Sequence, residues 1–237
     1  MTSLSEVHVR PGVSRAPFGT LPSGETVEAI TLTNPGGMRA TLISYGAAIQ
    51  SVLAPDRDGA LADVALGHAT LAPYLAQPQF FGATVGRVAN RIAGGRFQLD
   101  GRSNRVPCTD GPNALHGGEA GFDKVNWSVR ALGDARHPSV TFAHTSPDGD
   151  QGFPGTLDVS ATYTLDEGGA LRVEYTATTD RPTLVNLSNH AYWKFPRRHQ
   201  RWQSGPVLSD GRCHRARAAG ISRHPQPARI RIDQARS

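Results

Sequence analysis

Short segments in which apolar and polar residues alternate fill the first part of the chain. Successive side chains of a strand point to opposite faces of a sheet, so a period of two predicts strands with one buried face. The pattern predicts four strands, over residues 26–33, 38–45, 47–53 and 61–66. Between the first two lies Asn34-Pro35-Gly36-Gly37, in which proline fixes φ and the glycines let the backbone turn sharply. These residues predict a hairpin.

A second region of alternation lies between residues 125 and 179. It predicts strands over residues 125–132, 139–145, 156–165 and 171–179, the last two joined by the turn Asp166-Glu167-Gly168-Gly169. Helical periodicity is confined to residues 70–76, where Pro73 weakens it. A chain of many short strands separated by turns predicts an all-β fold, either a sandwich or a barrel.

The composition changes abruptly at Phe195. Residues 195–237 contain ten arginines and two aspartates, a net charge of +8, whereas residues 1–194 contain 15 basic and 18 acidic residues. The basic segment has no sustained period and few apolar residues, so it cannot bury enough surface to offset the entropy of ordering it. We expect residues 1–194 to form one domain, and residues 195–237 to be disordered or the product of a changed reading frame.

The charge distribution also bears on partners and location. Basic arms that bind nucleic acid usually interleave aromatic residues or lie beside a basic domain, whereas Trp202 is the one aromatic residue after Phe195 and residues 1–194 are acidic. No segment approaches 18 consecutive apolar residues, and no secretory signal opens the chain. We therefore expect a cytoplasmic protein that binds neither nucleic acid nor membrane, with Cys108 and Cys213 reduced.

Three polar clusters flanked by glycines lie at the ends of predicted strands, where a rigid scaffold usually carries its functional loops. The first contains Asn90 and Arg91, whose amide and guanidinium groups can hold hydroxyls. The others contain His116 and His190, which suit proton transfer near neutral pH. His190 is followed closely by two aromatic residues, whose faces suit a sugar ring. Taken singly, each histidine also fits a structural role, and Arg87 and Arg91 also fit surface ion pairs.

Other kinds of site fit the sequence less well. The gap of 74 residues between His116 and His190 is not a recognised spacing of metal ligands. No serine or cysteine lies in a nucleophile elbow, and the glycines of residues 82–95 fit neither a dinucleotide fingerprint nor a P-loop. The sequence therefore favours neither a metal site, nor an activated nucleophile, nor a phosphate-binding loop.

Taken together, the clusters resemble the aldose 1-epimerase family. The motifs that carry the resemblance are Gly86-Arg87-Val88-Ala89-Asn90-Arg91-Ile92, Asn113-Ala114-Leu115-His116-Gly117-Gly118 and Asn186-Leu187-Ser188-Asn189-His190-Ala191-Tyr192-Trp193, with Ile43-Ser44-Tyr45-Gly46-Ala47 and Gly121-Phe122-Asp123-Lys124 in addition. The resemblance runs from about residue 17 to residue 193. It implies a galactose-mutarotase-like β-sandwich that interconverts the α and β anomers of free aldoses such as glucose or galactose, without a cofactor.

The resemblance also implies a role for each matched residue. His190 would be the general acid at the ring oxygen, His116 would hydrogen-bond the same region, and Asn90 and Arg91 would bind sugar hydroxyls. In the family a glutamate general base and a sugar-binding aspartate follow the third motif, where this chain no longer matches. The carboxylates available in residues 1–194 do not resemble that base; they are Glu119, Asp123, Glu174 and Asp180.

Three hypotheses of function follow from the resemblance. The first is an aldose 1-epimerase whose activity is impaired, because the general base and the C-terminal part of the sandwich are missing. The second is a non-catalytic carbohydrate-binding remnant that keeps the hydroxyl-binding residues and the two histidines. The third is a hexose-6-phosphate 1-epimerase, which needs arginines aimed at a phosphate, and Arg87 and Arg96 are the candidates for that role.

Overall fold

The computed structural model describes residues 11–76 and 79–194, and the backbone of residues 228–232. In these residues the chain forms two five-stranded sheets, three two-stranded ladders and one short α-helix. In chain order the elements are β1 (Gly12–Thr20), β2 (Thr26–Thr33), β3 (Arg39–Ile43), β4 (Ala48–Pro55), β5 (Leu61–Asp63), α1 (Leu71–Ala76), β6 (Thr84–Val85), β7 (Arg91–Ile92), β8 (Arg96–Leu99), β9 (Arg102–Arg105), β10 (Ala114–Leu115), β11 (Ser128–Leu132), β12 (Ser139–Ser146), β13 (Leu157–Leu165), β14 (Leu171–Thr179), β15 (Ser188–Asn189) and β16 (Ala228–Ile232).

The N-terminal sheet is a meander in which each strand from β1 to β5 pairs antiparallel with the next. The turn between β2 and β3 has the chemistry that the sequence predicts. The side-chain oxygen of Asn34 accepts the Met38 N–H at 2.9 Å, and Gly37 has a φ of 80°. Glycine tolerates this left-handed backbone because it has no Cβ. The turn residues therefore set the pairing of this hairpin.

The second sheet has the order β11-β12-β13-β14-β16, again antiparallel throughout. The pairing of β13 with β14 is continuous from Leu157 opposite Thr179 to Leu165 opposite Leu171. Along both strands, buried residues alternate with more exposed ones. One face of this sheet is therefore turned towards the interior, as the period of two predicts.

The hydrophobic core lies between the inner faces of the two sheets. Strands of the N-terminal sheet and of the second sheet contribute side chains to one cluster of buried residues. Its most fully buried large members, each at most 2% exposed, are Ile30, Leu32, Leu42, Ile49, Val52, Trp127, Phe142, Leu157, Tyr163 and Tyr175. Burying each such side chain contributes roughly 1.5–3 kcal/mol. Two antiparallel sheets packed face to face are a β-sandwich, so the predicted fold class is confirmed.

The short ladders bring the three polar clusters together. Strand β6 pairs with β15, so Asn189 lies opposite Thr84. Strand β7 pairs with β10, so Leu115 lies opposite Arg91. Because His116 follows β10 and His190 follows β15, these two pairings place both histidines beside the segment 84–92.

The predicted strands are present, and the predicted helix over residues 70–76 is α1, in which Pro73 occupies the first turn. A proline is tolerated there because the first N–H groups of a helix have no partner within it. Strand β1 was not predicted. Its residues are mostly exposed and show no clean alternation, since among the described residues β1 is an edge strand paired with β2.

Strand β16 lies within residues 195–237, for which the sequence predicts no regular structure. It pairs antiparallel with β14, with Ile230 opposite Tyr175. Its five residues do alternate between apolar and basic types, but the run is too short to count as a sustained period. Residues 228–232 thus form a strand, and the disorder expected of residues 195–237 stays a prediction. Residues 195–227 and 233–237 lie outside the described residues, so the boundary at residue 194 and the changed reading frame stay predictions.

Candidate active site

The structure brings His116 and His190 into direct contact. Their ring centroids are 5.0 Å apart and the ring planes are nearly perpendicular, at 89°. This edge-to-face arrangement is a favourable geometry for two aromatic rings. Two residues that are 74 positions apart in the chain therefore form one cluster.

Reciprocal hydrogen bonds with Asn90 hold His116 in place. The Asn90 N–H donates to the His116 Nδ1 at 3.0 Å, and the His116 N–H donates to the Asn90 carbonyl at 3.0 Å. Because Nδ1 accepts a hydrogen bond, the proton of the neutral imidazole lies on Nε2. His116 therefore presents an N–H donor from its other ring nitrogen.

Backbone and side-chain contacts fix the segment that carries His190. The His190 N–H donates to the Ala83 carbonyl at 2.8 Å, and the Gly82 N–H donates to the His190 carbonyl at 3.1 Å. The preceding Asn189 donates from its side-chain amide to the Gly82 carbonyl at 2.7 Å and to the Tyr163 hydroxyl at 3.2 Å. Because Tyr163 belongs to the core, these bonds tie His190 to the body of the sandwich.

Asn90 and Arg91 lie beside the histidine pair, and both are exposed. The Arg91 Nε donates to the Asp110 carboxylate at 2.6 Å, and the Arg91 side chain is 53% exposed. The surface ion pair expected for Arg91 is thus present. It fixes the Nε side of the guanidinium and leaves other N–H donors for a ligand.

Burial makes both histidines poor proton acceptors. Burial, and after it the positive charges of His190, Arg91 and Lys124, lower the pKa of His116 to about 4. Burial also lowers the pKa of His190, but a hydrogen bond to its own backbone and the nearby Asp123 carboxylate oppose this effect. Both rings are therefore neutral at pH 7. Of the two, only His190 has a carboxylate that favours its protonated form.

Three further residues, to which the sequence analysis assigned no role in the site, complete the surroundings of the pair. The Phe80 ring contacts both histidines, with centroids 4.8 Å from that of His116 and 5.5 Å from that of His190. The Lys124 ammonium lies 5.6 Å from the Phe80 centroid and 3.0 Å from the Asp123 carboxylate. Asp123 and Lys124 belong to one of the resembling motifs, but no sequence signal marked Phe80.

Arg87 has a structural role. It is 2% exposed, and its guanidinium donates to the carbonyls of Ser146, Pro147 and Gly155 at 2.8–2.9 Å. The expected surface ion pair is therefore wrong for Arg87, and its donors are not available to a phosphate. Of the two arginines proposed for a phosphate, only Arg96 is exposed.

The described residues offer neither a metal site nor a membrane-spanning helix. No group of three or more histidine, cysteine, aspartate or glutamate side chains that could hold a metal ion occurs in residues 11–76 and 79–194. No helix in the described part of the chain is long and apolar enough to cross a membrane. The cytoplasmic location and the absence of a nucleic-acid partner stay predictions.

The chain is similar to proteins of known family. The family model described as aldose 1-epimerase matches residues 28–206. Galactose mutarotase of Homo sapiens is 48% identical over 199 residues, which cover 84% of this chain and 55% of that protein. Aldose 1-epimerase of Escherichia coli is 41% identical over 172 residues, which cover 73% of this chain and 49% of that protein. The chain spans about half the length of the curated relatives it matches.

Solved structures give the same result. Galactose 1-epimerase from Lactobacillus acidophilus superposes with a TM-score of 0.70 and 31% identity, over 77% of this chain and 53% of that one. The aldose epimerase homologue from C. elegans superposes with a TM-score of 0.66 and 36% identity, over 70% of this chain and 50% of that one. The chain therefore belongs to the aldose 1-epimerase family.

Proposed function

We propose that this chain carries the histidine pair and part of the sugar site of an aldose 1-epimerase, which interconverts the α and β anomers of free aldoses such as glucose or galactose. The observation that carries the proposal is the contact between the rings of His116 and His190, whose centroids are 5.0 Å apart. The exposed Asn90 and Arg91 lie beside this pair. The names of the relatives support it, since they are galactose mutarotase and aldose 1-epimerase.

The proposed reaction needs two proton transfers and no cofactor. A base takes the proton of the anomeric hydroxyl, and the bond between the anomeric carbon and the ring oxygen breaks. An acid gives a proton to the ring oxygen, so that an open-chain aldehyde forms. Rotation about the adjacent carbon–carbon bond and the reverse transfers then close the ring on the other face. General acid and base groups typically contribute about 10²–10⁴ each to such a rate.

His190 is assigned as the general acid at the ring oxygen. An acid must carry a proton to give, and the Asp123 carboxylate raises the proton affinity of His190 against the effect of burial. The rings of Phe80 and Tyr192 lie 5.5 and 5.0 Å from the His190 ring, so the imidazole has little freedom to turn away. His190 is thus both oriented and close to a group that favours its charged form.

His116 is assigned a hydrogen-bonding role in the same region. Its Nδ1 is occupied by the Asn90 N–H, which leaves the Nε2–H as a donor. With a pKa of about 4, His116 stays neutral near pH 7 and does not compete with His190 for a proton. The pKa of both histidines is lowered, but the Asp123 carboxylate opposes the effect of burial at His190 alone, so the acid role is assigned to His190 and the donor role to His116.

Asn90 and Arg91 are assigned to the sugar hydroxyls. The Asn90 side chain is exposed, and its amide offers both a donor and an acceptor, as a hydroxyl does. The Arg91 guanidinium is oriented by Asp110 and adds several donors in a fixed plane. Such groups bind a neutral sugar through directional hydrogen bonds.

We expect mutarotation by this chain to be weak. Among the described residues, the carboxylate whose charge acts on His190 is Asp123, which pairs with Lys124, and no general base is assigned. An enzyme that lacks a proton-transfer partner is typically about 10²–10⁴-fold slower. The same observation favours the second hypothesis, a carbohydrate-binding remnant. The hexose-6-phosphate hypothesis loses one of its two arginines, because Arg87 is buried and bonded to carbonyls.

Polarimetry of freshly dissolved α-D-galactose tests the proposal. The full chain is compared with buffer, with the Escherichia coli relative and with two variants. His190→Asn removes the proposed acid, and His137→Asn removes an exposed histidine outside the site. We expect the full chain to catalyse mutarotation about 10²–10⁴-fold more slowly than the relative. This activity should be lost in His190→Asn and retained in His137→Asn.

Each other outcome is also decisive. A rate equal to that of the relative would contradict the proposed impairment, and a rate unchanged in His190→Asn would contradict the role of His190. Saturable galactose binding without any rate above buffer would favour the binding remnant. Absence of both binding and catalysis in a folded chain would contradict the site itself.

A further inference from the structure

The side chain of Asn189 holds the backbone on both sides of His190. Its amide group donates to the Gly82 carbonyl at 2.7 Å, and its Oδ1 accepts the Ala191 N–H at 3.0 Å. The second of these bonds closes an Asx turn, in which a side-chain oxygen binds the backbone two residues further along. His190 is the central residue of this turn, so the position of its ring depends on the orientation of the Asn189 amide.

Tyr163 completes the hydrogen bonding of that amide. Its hydroxyl accepts a bond from the Asn189 side chain at 3.2 Å and donates to the Ala47 carbonyl at 2.6 Å. A primary amide has two N–H donors and one acceptor oxygen. Gly82 and Tyr163 accept the two N–H groups, and the oxygen accepts the Ala191 N–H. The amide therefore cannot turn over without losing bonds.

The Tyr163 hydroxyl is itself fixed by the core. The residue is 0% exposed, and its ring packs against that of Phe142 with centroids 6.2 Å apart. Burial raises the pKa of the Tyr163 hydroxyl, so the group keeps its proton. The bond to Ala47 uses this proton, which leaves a lone pair of the oxygen for the Asn189 amide. Hydrogen bonds in such a dry interior are costly to leave unmade.

We propose that Tyr163 is a positioning residue, which acts through Asn189 to hold the His190 ring against the ring of His116. The inference rests on the proposed function, in which His190 is the general acid. A displacement of about 1 Å can slow a catalysed reaction by about 10². Because Tyr163 has no exposed surface, it cannot touch the sugar, and its loss should act on kcat and not on KM.

Two matched variants test this inference in the full chain. Tyr163→Phe removes the hydroxyl that binds Asn189 and keeps the packed ring. Tyr175→Phe is the control, because it removes a neighbouring hydroxyl of the same core, which lies 3.2 Å from the Thr84 hydroxyl. Among the described residues, the Tyr175 hydroxyl makes no hydrogen bond to Asn189.

Two measurements compare these variants with the wild-type chain. The nuclear Overhauser effect between the ring protons of His116 and His190 reports the contact of the two rings without any turnover. Polarimetry with α-D-galactose gives kcat and KM. We expect Tyr163→Phe to weaken the Overhauser effect and to lower kcat about tenfold, with KM unchanged. Tyr175→Phe should leave all three quantities at their wild-type values.

The other outcomes are equally informative. An unchanged Overhauser effect and kcat in Tyr163→Phe would overturn the inference. Equal losses in both variants would also overturn it, because the effect would then belong to any buried hydroxyl of this core. If the wild-type chain shows no mutarotation, the proposed function fails, and the Overhauser effect alone decides whether Tyr163 positions His190.

Asn189→Ser keeps the test decisive if Tyr163→Phe does not fold. A serine can still accept the Ala191 N–H, but its one proton cannot serve both Gly82 and Tyr163. This variant should therefore weaken the Overhauser effect between the two histidine rings. A wild-type Overhauser effect in Asn189→Ser would show that the bond to Tyr163 does not position His190.

Discussion

Three residues have positive φ angles, which residues other than glycine rarely adopt. They are Phe80 at 57°, Asn90 at 68° and His116 at 51°. All three lie in the candidate site, and Asn90 and His116 bond to each other's backbone. Such conformations cost about 1–3 kcal/mol each and persist where the surrounding structure holds them. In this site they turn the Asn90 N–H and the His116 ring towards each other.

Asn90 therefore contributes in two ways, through a backbone with a positive φ and through a side-chain amide that can bind the sugar. Two variants separate these contributions. Asn90→Gly keeps the positive φ without strain, whereas Asn90→Ala places a Cβ in the left-handed region. Urea denaturation should show Asn90→Ala to be less stable than Asn90→Gly by about 1 kcal/mol. Both lack the side-chain amide, so both should bind galactose roughly tenfold more weakly than the wild-type chain. Equal stability of the two variants, or unchanged affinity, would contradict these roles.

The buried position of His116 makes the stability of the chain depend on pH. The folded chain protonates His116 only near pH 4, whereas a histidine of the unfolded chain is protonated below about pH 6.5. Between these values the unfolded state binds more protons, so the free energy of unfolding decreases as the pH falls from 6.5 towards 4. Urea denaturation across this range should show the decrease, and His116→Asn should make it smaller. An identical decrease in both proteins would contradict the buried neutral state of His116.

At the level of elements, the site is assembled by two-residue ladders and not by the long strands. The β6–β15 and β7–β10 pairings bring the three polar clusters together, and Arg87 anchors the segment between β6 and β7. Its guanidinium binds the carbonyls of Ser146, Pro147 and Gly155, in the connection between β12 and β13. A single buried side chain thus joins the site segment to the second sheet.

The contribution of Arg87 is measurable against a matched arginine. Arg87→Met leaves several buried carbonyls without donors, so it should lower the free energy of unfolding by about 3–5 kcal/mol. Arg96→Met replaces an exposed arginine of β8 and should change the free energy of unfolding by less than about 0.5 kcal/mol. Urea denaturation of both variants measures the difference. A similar loss in the two proteins would show that the Arg87 hydrogen bonds contribute little.

The sequence predicts the long strands well because their periodicity reflects one buried face. The predicted strands over residues 26–33 and 171–179 agree with β2 and β14 at both ends. The two-residue strands β6, β7, β10 and β15 are too short to show any period, and their pairing is a long-range property. The motifs contain the four proposed site residues, which the structure places near one another, but the contact of Phe80 with both histidines depends on its backbone conformation, which no pattern reveals.

At the scale of the whole molecule, two sheets hold a site that neither could form alone. Thr84 in β6 approaches the hydroxyls of Tyr163 in β13 and Tyr175 in β14, at 3.3 and 3.2 Å, and Tyr163 donates to the Ala47 carbonyl at 2.6 Å. These buried bonds connect the N-terminal sheet, the site ladder and the second sheet. The chain spans about half the length of its curated relatives. The activity assigned to it is therefore a proposal about the part of the site that this chain carries.

The central claim is that one aldose ring contacts His116 and His190 together. The most direct test is a galactose titration of the full chain with ¹⁵N-labelled histidine, in which the ring resonances are followed by NMR. The account predicts that the His116 and His190 rings shift along one common saturation curve, while the exposed His137 does not respond. Shifts at only one of the two histidines, or at neither, would contradict the two-histidine sugar site.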